Sequence, residues 1–117
     1  MKTLKGEFKI KRETLNRINT LLDIEDFETD GEKLEELNFK TDSTVFDTII
    51  DFDKYFVRLS VCTGQHNAWV ETIIIRKEDD CEFECEPGFE GFVENVDIEI
   101  DMFDNDTTIF IKPIIIE

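Results

Sequence analysis

The sequence predicts an α+β domain in which one or two N-terminal helices pack on a twisted antiparallel β-sheet of about five to six strands. Apolar residues recur at helical spacing near the N-terminus, whereas short segments rich in Val, Ile, Phe and Thr follow from Thr44 onward. The chain has 117 residues, of which 40% are hydrophobic, and this is enough to build one core. We therefore expect residues 1–117 to form a single domain.

The helices are predicted in the first third of the chain. After a short strand over residues 5–10, a helix is expected over residues 11–23, because Leu15, Ile18, Leu21 and Leu22 make one apolar stripe. A second, short helix is expected over residues 31–38. Thr29 and Glu32 have the spacing of a capping box, and Asn38 suits the end of that helix.

Six further segments have the composition of strands and are separated by turn residues. They are Val45–Phe52, Tyr55–Thr63, Ala68–Lys77, Cys81–Glu86, Val96–Phe103 and Thr107–Ile116. Their short connections favour an antiparallel meander. Pro113 has no N–H to give to a ladder, so we expect the last strand to lie at a sheet edge or to end near Pro113.

The charge of the chain is strongly and unevenly negative. The formal net charge is −16, yet residues 1–22 hold six basic and only two acidic side chains. Residues 78–106 hold thirteen carboxylates and no Lys or Arg. Because self-repulsion of this kind costs folding stability, the acidic field serves either solubility or a basic partner. It also disfavours direct nucleic-acid binding by the basic N-terminal helix.

Three of the predicted strands alternate acidic with other, mostly apolar, residues. Their acidic members are Asp47, Asp51 and Asp53; Glu82, Glu84 and Glu86; and Asp97, Glu99 and Asp101. Alternate carboxylates on a strand lie about 7 Å apart, and duplex DNA carries one charge per roughly 1.7 Å of axis. Such an array can therefore imitate nucleic acid toward a partner's Lys and Arg. The same alternation is typical of any half-exposed antiparallel strand.

We predict a partner-binding surface built from the acidic residues, with two phenylalanines as apolar anchors. Its members are Glu82, Glu84, Glu86, Phe89, Glu90, Phe92, Asp97, Glu99, Asp101 and Asp104. The twist of the sheet decides whether the acidic strands share one face. No catalytic residue is predicted, because His66 is the single histidine and no nucleophile or glycine-rich phosphate motif accompanies it.

No metal or cofactor is predicted. Cys62, His66, Cys81 and Cys85 match the inventory of a zinc site, but ligands four residues apart on a strand have Cα atoms about 13 Å apart. The aspartates of residues 101–106 lack the spacing of an EF-hand loop. The three cysteines are expected to be free thiols.

The sequence also predicts a cytoplasmic protein. It has no run of 18 apolar residues, so no membrane span is expected. Its N-terminus has no apolar segment of the kind found in a secretory signal.

Residues 61–69, Val-Cys-Thr-Gly-Gln-His-Asn-Ala-Trp, together with the acidic strands that follow, resemble short proteins of phages and mobile elements. The resemblance covers residues 55–86, and in size, charge and lack of a catalytic motif the chain is similar to anti-CRISPR proteins as a class. The resemblance implies an inhibitor that imitates DNA and blocks the nucleic-acid channel of a Cas effector. Such an inhibitor would act in the cytoplasm of a bacterial host. The alternative is a small structural, assembly or Ca²⁺-binding domain of a phage or mobile element.

Overall fold

The computed structural model describes residues 2–29, 31–85, 91–102 and 106–117. These residues form two helices and seven strands, so the mixed α+β class is confirmed. The elements are β1 (Lys2–Lys11), α1 (Arg12–Leu22), α2 (Gly31–Glu36), β2 (Ser43–Asp51), β3 (Tyr55–Thr63), β4 (Ala68–Arg76), β5 (Glu82–Cys85), β6 (Ile98–Asp101) and β7 (Thr107–Ile116). No helix within the described ranges is long and apolar enough to cross a membrane.

The expectation of a single antiparallel sheet is wrong, because the strands form two sheets. β2, β3, β4 and β5 make a four-stranded antiparallel meander, as the short connections predicted. The other sheet has the order β1-β7-β6, and β1 runs parallel to β7 from Lys2 opposite Thr107 to Lys11 opposite Ile116. This pairing joins the two ends of the chain, where no local connection signals it.

Of the two alternatives predicted from Pro113, the edge position is wrong, and the strand ends three residues beyond the proline. β7 lies between β1 and β6 and continues past Pro113 to Ile116. The described part of β6 pairs only with residues 108–111 of β7, so Pro113 follows the end of that ladder. A central strand can therefore hold a proline where one of its neighbours has stopped.

Helix α1 forms where the apolar stripe predicted it. Leu15, Ile18 and Leu21 are buried, and the helix ends at Leu22; the N–H of the next residue, Asp23, donates to the Asn19 carbonyl at 3.2 Å. Asn38 follows α2 in the left-handed region at φ 59°, a conformation that asparagine tolerates better than most residues. The Arg17 guanidinium of α1 donates to the carbonyl of Leu37, which directly follows α2, and this hydrogen bond links the two helical segments.

The inner faces of both sheets share one core. Phe8 of β1, Leu59 of β3 and Ile109 of β7 belong to the same buried cluster, and α1 contributes Leu15 and Ile18 to it. A second, smaller cluster lies beneath α2 and consists of Leu21, Ile24, Phe27 and Leu34. Because the inner faces meet in one core, the outer faces of the two sheets point away from each other.

At Gly6, β1 packs closely against residues of the other sheet and of the turn that follows β2. A Cβ at this position would lie 2.8 Å from Ile50 Cγ2 and 2.8 Å from Phe52 Cζ. Both neighbours are buried, at 5% and 7% exposure, so neither has free space into which it can move.

We expect Gly6→Ala to lower the free energy of unfolding by about 1–3 kcal/mol, because the added methyl forces buried side chains out of their packed positions. Urea unfolding followed by circular dichroism measures the loss. Thr3→Ala, at an exposed position of the same strand, is the control and should change the free energy by less than about 0.5 kcal/mol. An unchanged urea midpoint for Gly6→Ala would contradict the close approach of the sheets.

Candidate protein-interaction surface

The predicted acidic strands lie in different sheets. Glu82 and Glu84 lie on β5 of the four-stranded sheet, whereas Glu99 and Asp101 lie on β6 of the three-stranded sheet. All four are exposed, as their alternation predicted. Since the outer faces of the two sheets point apart, the two rows of carboxylates do not form one surface.

Each of the acidic strands is an edge strand. β2 and β5 are the two edges of the four-stranded sheet, and β6 is one edge of the three-stranded sheet. β1, the remaining edge, carries Lys5, Lys9 and Lys11 instead. Charge on edge strands opposes unwanted pairing with other chains, so one physical role of the alternating acids is protection of the open edges.

The outer face of the three-stranded sheet is balanced in charge. Register places four basic residues on this face, Lys5, Lys9, Lys11 and Lys112. Its acidic residues are Glu7 on β1, Glu99 and Asp101 on β6, and Asp97 just before β6. A depression of about 300 Å³ brings Lys5, Glu7, Asp97 and Lys112 together. This face therefore presents no continuous negative field.

The outer face of the four-stranded sheet is the more acidic of the two. Register and alternation place on it Asp47, Ile49, Asp51, Phe56, Arg58, Ser60, Cys62, Trp69, Glu71, Ile73, Ile75, Glu82 and Glu84. Five of these residues are acidic and one, Arg58, is basic. We call this set the acidic face.

Phe56 on β3 and Ile73 and Ile75 on β4 form a short apolar strip at one end of the acidic face. Phe56 and Ile75 lie side by side between Asp51 on β2 and Glu82 on β5. Adjacent strands are about 4.8 Å apart, so the two outer columns of carboxylates lie roughly 14 Å from each other. At this end of the face, a short apolar strip therefore lies between acidic residues on the two edge strands.

The carboxylates on the β2 side of the acidic face are neutralised. Arg58 donates to both oxygens of Asp47, at 3.0 Å each, and this contact holds the pKa of Asp47 below its usual value. The Lys77 ammonium lies 2.5 Å from Asp51 Oδ1. Within the part of the chain that the structure describes, no Lys or Arg is paired with Glu82 or Glu84. Negative charge without a Lys or Arg partner on this face therefore lies on Glu71 of β4 and on Glu82 and Glu84 of β5.

Trp69 and Ile49 are the exposed apolar side chains of this face. They are 39% and 58% exposed, respectively. The Trp69 indole N–H donates to Glu71 Oε1 at 3.0 Å, and its ring lies over Gly64, where a Cβ would be 3.0 Å from Cζ3. The ring is therefore held in place while part of it remains open to a partner.

Phe92, predicted as an exposed anchor, is a core residue. It is 1% exposed, and its ring lies 5.5 Å from that of Phe8 and 6.1 Å from that of Phe46, between ring centroids. The Asn19 side chain donates to the Phe92 carbonyl and accepts from its N–H, at 2.6 and 2.9 Å. The segment is thereby fastened to α1 and its aromatic ring turned inward. Glu86, Phe89, Glu90 and Asp104 lie outside the described residues.

Sequence reasoning did not assign the apolar strip to the surface. The signal for it is Ile73-Ile74-Ile75, a run that must put apolar side chains on both faces of β4. Ile74 is fully buried, and its two neighbours face outward beside β5.

The cysteines do not converge on His66. Cys62 lies on the acidic face opposite Trp69, Cys85 packs partly against the core, and all three thiols are free. Burial raises the pKa of Cys62 and of Cys85, which makes them less reactive. Among the described residues, the close group of metal-ligating side chains is a different one, Asp26, Glu28 and His66.

Fold and surface together define a mixed α+β domain of two sheets with one acidic, partly apolar outer face. Comparison with models of known protein families, with curated proteins and with solved structures finds no match for this chain. The interpretation of function therefore rests on the geometry of that face.

Proposed function

We propose that the protein is an acidic interaction module that binds a basic partner protein through the acidic face. The observation that carries the proposal is the column of unpaired carboxylates, Glu82 and Glu84, beside the half-buried apolar strip of Phe56, Ile73 and Ile75. Protein interfaces commonly combine an apolar centre with a polar rim.

One property of the acidic face and one of the whole chain favour binding to a basic partner. Trp69 is fixed by Glu71 and Gly64 before any partner arrives, so little side-chain entropy remains to be lost when it is covered. The net charge of −16 attracts a basic partner over distance and speeds association at low salt.

We further propose that the partner's contact surface is its basic nucleic-acid groove, so that the protein acts as an inhibitor that imitates nucleic acid. In this proposal the partner is a Cas nuclease or another nucleic-acid-binding defence protein in the bacterial cytoplasm. The chain has no catalytic role in it and binds no nucleic acid itself. Within the anion-only stretch of residues 78–106, the support is Glu82 and Glu84 of β5, whose carboxylates lie about 7 Å apart along the strand.

Affinity capture with a competing ligand tests the proposal. The immobilised protein is exposed to a nuclease-treated bacterial lysate and then eluted with duplex DNA. We expect a basic nucleic-acid-binding protein to be retained, to be displaced by DNA, and to bind more weakly as salt rises, because the contact is largely electrostatic. Beads coated with polyglutamate are the control for attraction by charge alone.

Three outcomes separate the two levels of the proposal. The inhibitor proposal is supported if DNA displaces the captured protein from the immobilised chain and the polyglutamate beads do not retain that protein. A basic protein that is retained but not displaced by DNA supports the interaction module and overturns nucleic-acid mimicry. Retention of the same proteins on both kinds of bead overturns a specific role for the acidic face.

A further inference from the structure

We propose that Asp26, Glu28 and His66 form a binding site for a first-row divalent transition-metal ion, for which Zn²⁺ is the probe. The three side chains belong to two loops far apart in sequence, one after α1 and one between β3 and β4. The site lies apart from the unpaired carboxylates of β5 and does not depend on the proposed function.

The donor atoms already lie close to coordination distance from a common centre. His66 Nδ1 is 3.6 Å from Asp26 Oδ1 and 3.8 Å from Glu28 Oε1, and one donor atom from each residue lies within 4.8 Å of the others. Zinc bonds of about 2.0–2.2 Å place neighbouring ligands roughly 3.0–3.5 Å apart. Rotations of exposed side chains are sufficient to close the remaining gap.

The backbone holds the two loops in this arrangement. The N–H of Phe27, the residue between the two carboxylates, donates to the His66 carbonyl at 2.8 Å. Phe27 is 4% exposed and belongs to the second core cluster, so the contact is anchored from below. The Glu28 N–H donates to Asp26 Oδ1 at 2.9 Å and orients that carboxylate.

The ligand set indicates which ions fit. One imidazole nitrogen and two carboxylate oxygens suit Zn²⁺ and its first-row neighbours, whereas Ca²⁺ and Mg²⁺ prefer oxygen alone. The side chains of His66, Asp26 and Glu28 are 61%, 43% and 73% exposed, so water can fill the other coordination positions.

Zinc titration of the metal-free full chain by isothermal calorimetry tests the site. We expect one principal Zn²⁺ site that His66→Gln weakens at least tenfold and Asp26→Asn weakens at least tenfold. Glu25→Gln removes a neighbouring exposed carboxylate and should leave the affinity unchanged. We expect the melting temperature to rise with Zn²⁺ in the parent protein and to rise much less in His66→Gln, because an ion that binds only the folded state stabilises it.

A variant with Ser at Cys62, Cys81 and Cys85 separates this site from thiol binding. It should retain Zn²⁺ affinity, and the parent protein loaded with Co²⁺ should lack the intense near-ultraviolet band of thiolate ligation. Loss of binding with the cysteines overturns the proposal. Absence of Zn²⁺ binding up to millimolar concentration also overturns it. Equal weakening of Zn²⁺ binding by Glu25→Gln and Asp26→Asn overturns it as well, because that result identifies diffuse attraction by an acidic surface.

Discussion

Replacing Phe92 by alanine is expected to lower the free energy of unfolding by about 3–5 kcal/mol. The ring is 1% exposed and packs edge-on against Phe8 and Phe46. Its removal therefore leaves a cavity and forfeits both aromatic contacts. Urea unfolding monitored by circular dichroism, with the slope of the transition compared between variants, measures the loss.

Phe110→Ala provides a matched control for the same chemical change. Phe110 lies on the outer face of the three-stranded sheet between Lys5 and Glu99, where its side chain is partly exposed. We expect a loss of about 1–2 kcal/mol at this site, because less apolar area returns to water. Equal losses of unfolding free energy for the two variants would contradict the burial of Phe92 and would make it a candidate surface anchor again.

The local elements were predictable because strong local patterns specify them. The bounds of β3, Tyr55–Thr63, and of β7, Thr107–Ile116, agree with those predicted from composition and turn residues. Helix α1 differs by one residue at each end from the predicted range of 11–23. An apolar stripe and strands of β-branched residues are properties of neighbouring residues, and the sequence carries them directly.

The division into two sheets was not predictable from such patterns. The parallel pairing of β1 with β7 spans the whole chain, and its stability comes from the shared core rather than from a turn. The alternation of acidic and apolar residues correctly predicted that Glu82 and Glu99 are exposed. It cannot tell which sheet a strand joins, and so it cannot place two acidic strands on one surface.

The residues missed at the candidate sites lack a periodic signal. Phe92 lies between strands, and its inward direction is set by the Asn19 side chain of α1, 73 residues away. Asp26 and His66 come together because the Phe27 N–H bonds to the His66 carbonyl. Contacts of this kind are specific to the folded chain, and no spacing rule anticipates them.

Reversing the charge of Glu82 and Glu84 to lysine is expected to weaken partner binding about 100-fold or more, which corresponds to about 2.7 kcal/mol. Both side chains are exposed on an edge strand, so the fold should survive, and circular dichroism checks this. The double variant replaces two attractive contacts with repulsive ones beside the partner's Lys and Arg. Affinity for the captured partner at physiological salt is the measurement.

A second double variant, with lysine at Glu99 and Asp101, separates the acidic face from net charge. Each replacement adds two charges, so either double variant changes the net charge from −16 to −12. Exposed charges are screened beyond about 8 Å at physiological salt, so reversal on the three-stranded sheet should weaken binding less than tenfold. Equal losses for both variants would show that net charge rather than the acidic face drives association. A loss confined to the Glu99 and Asp101 variant would move the interface to the three-stranded sheet, and a loss confined to the Glu82 and Glu84 variant supports the acidic face.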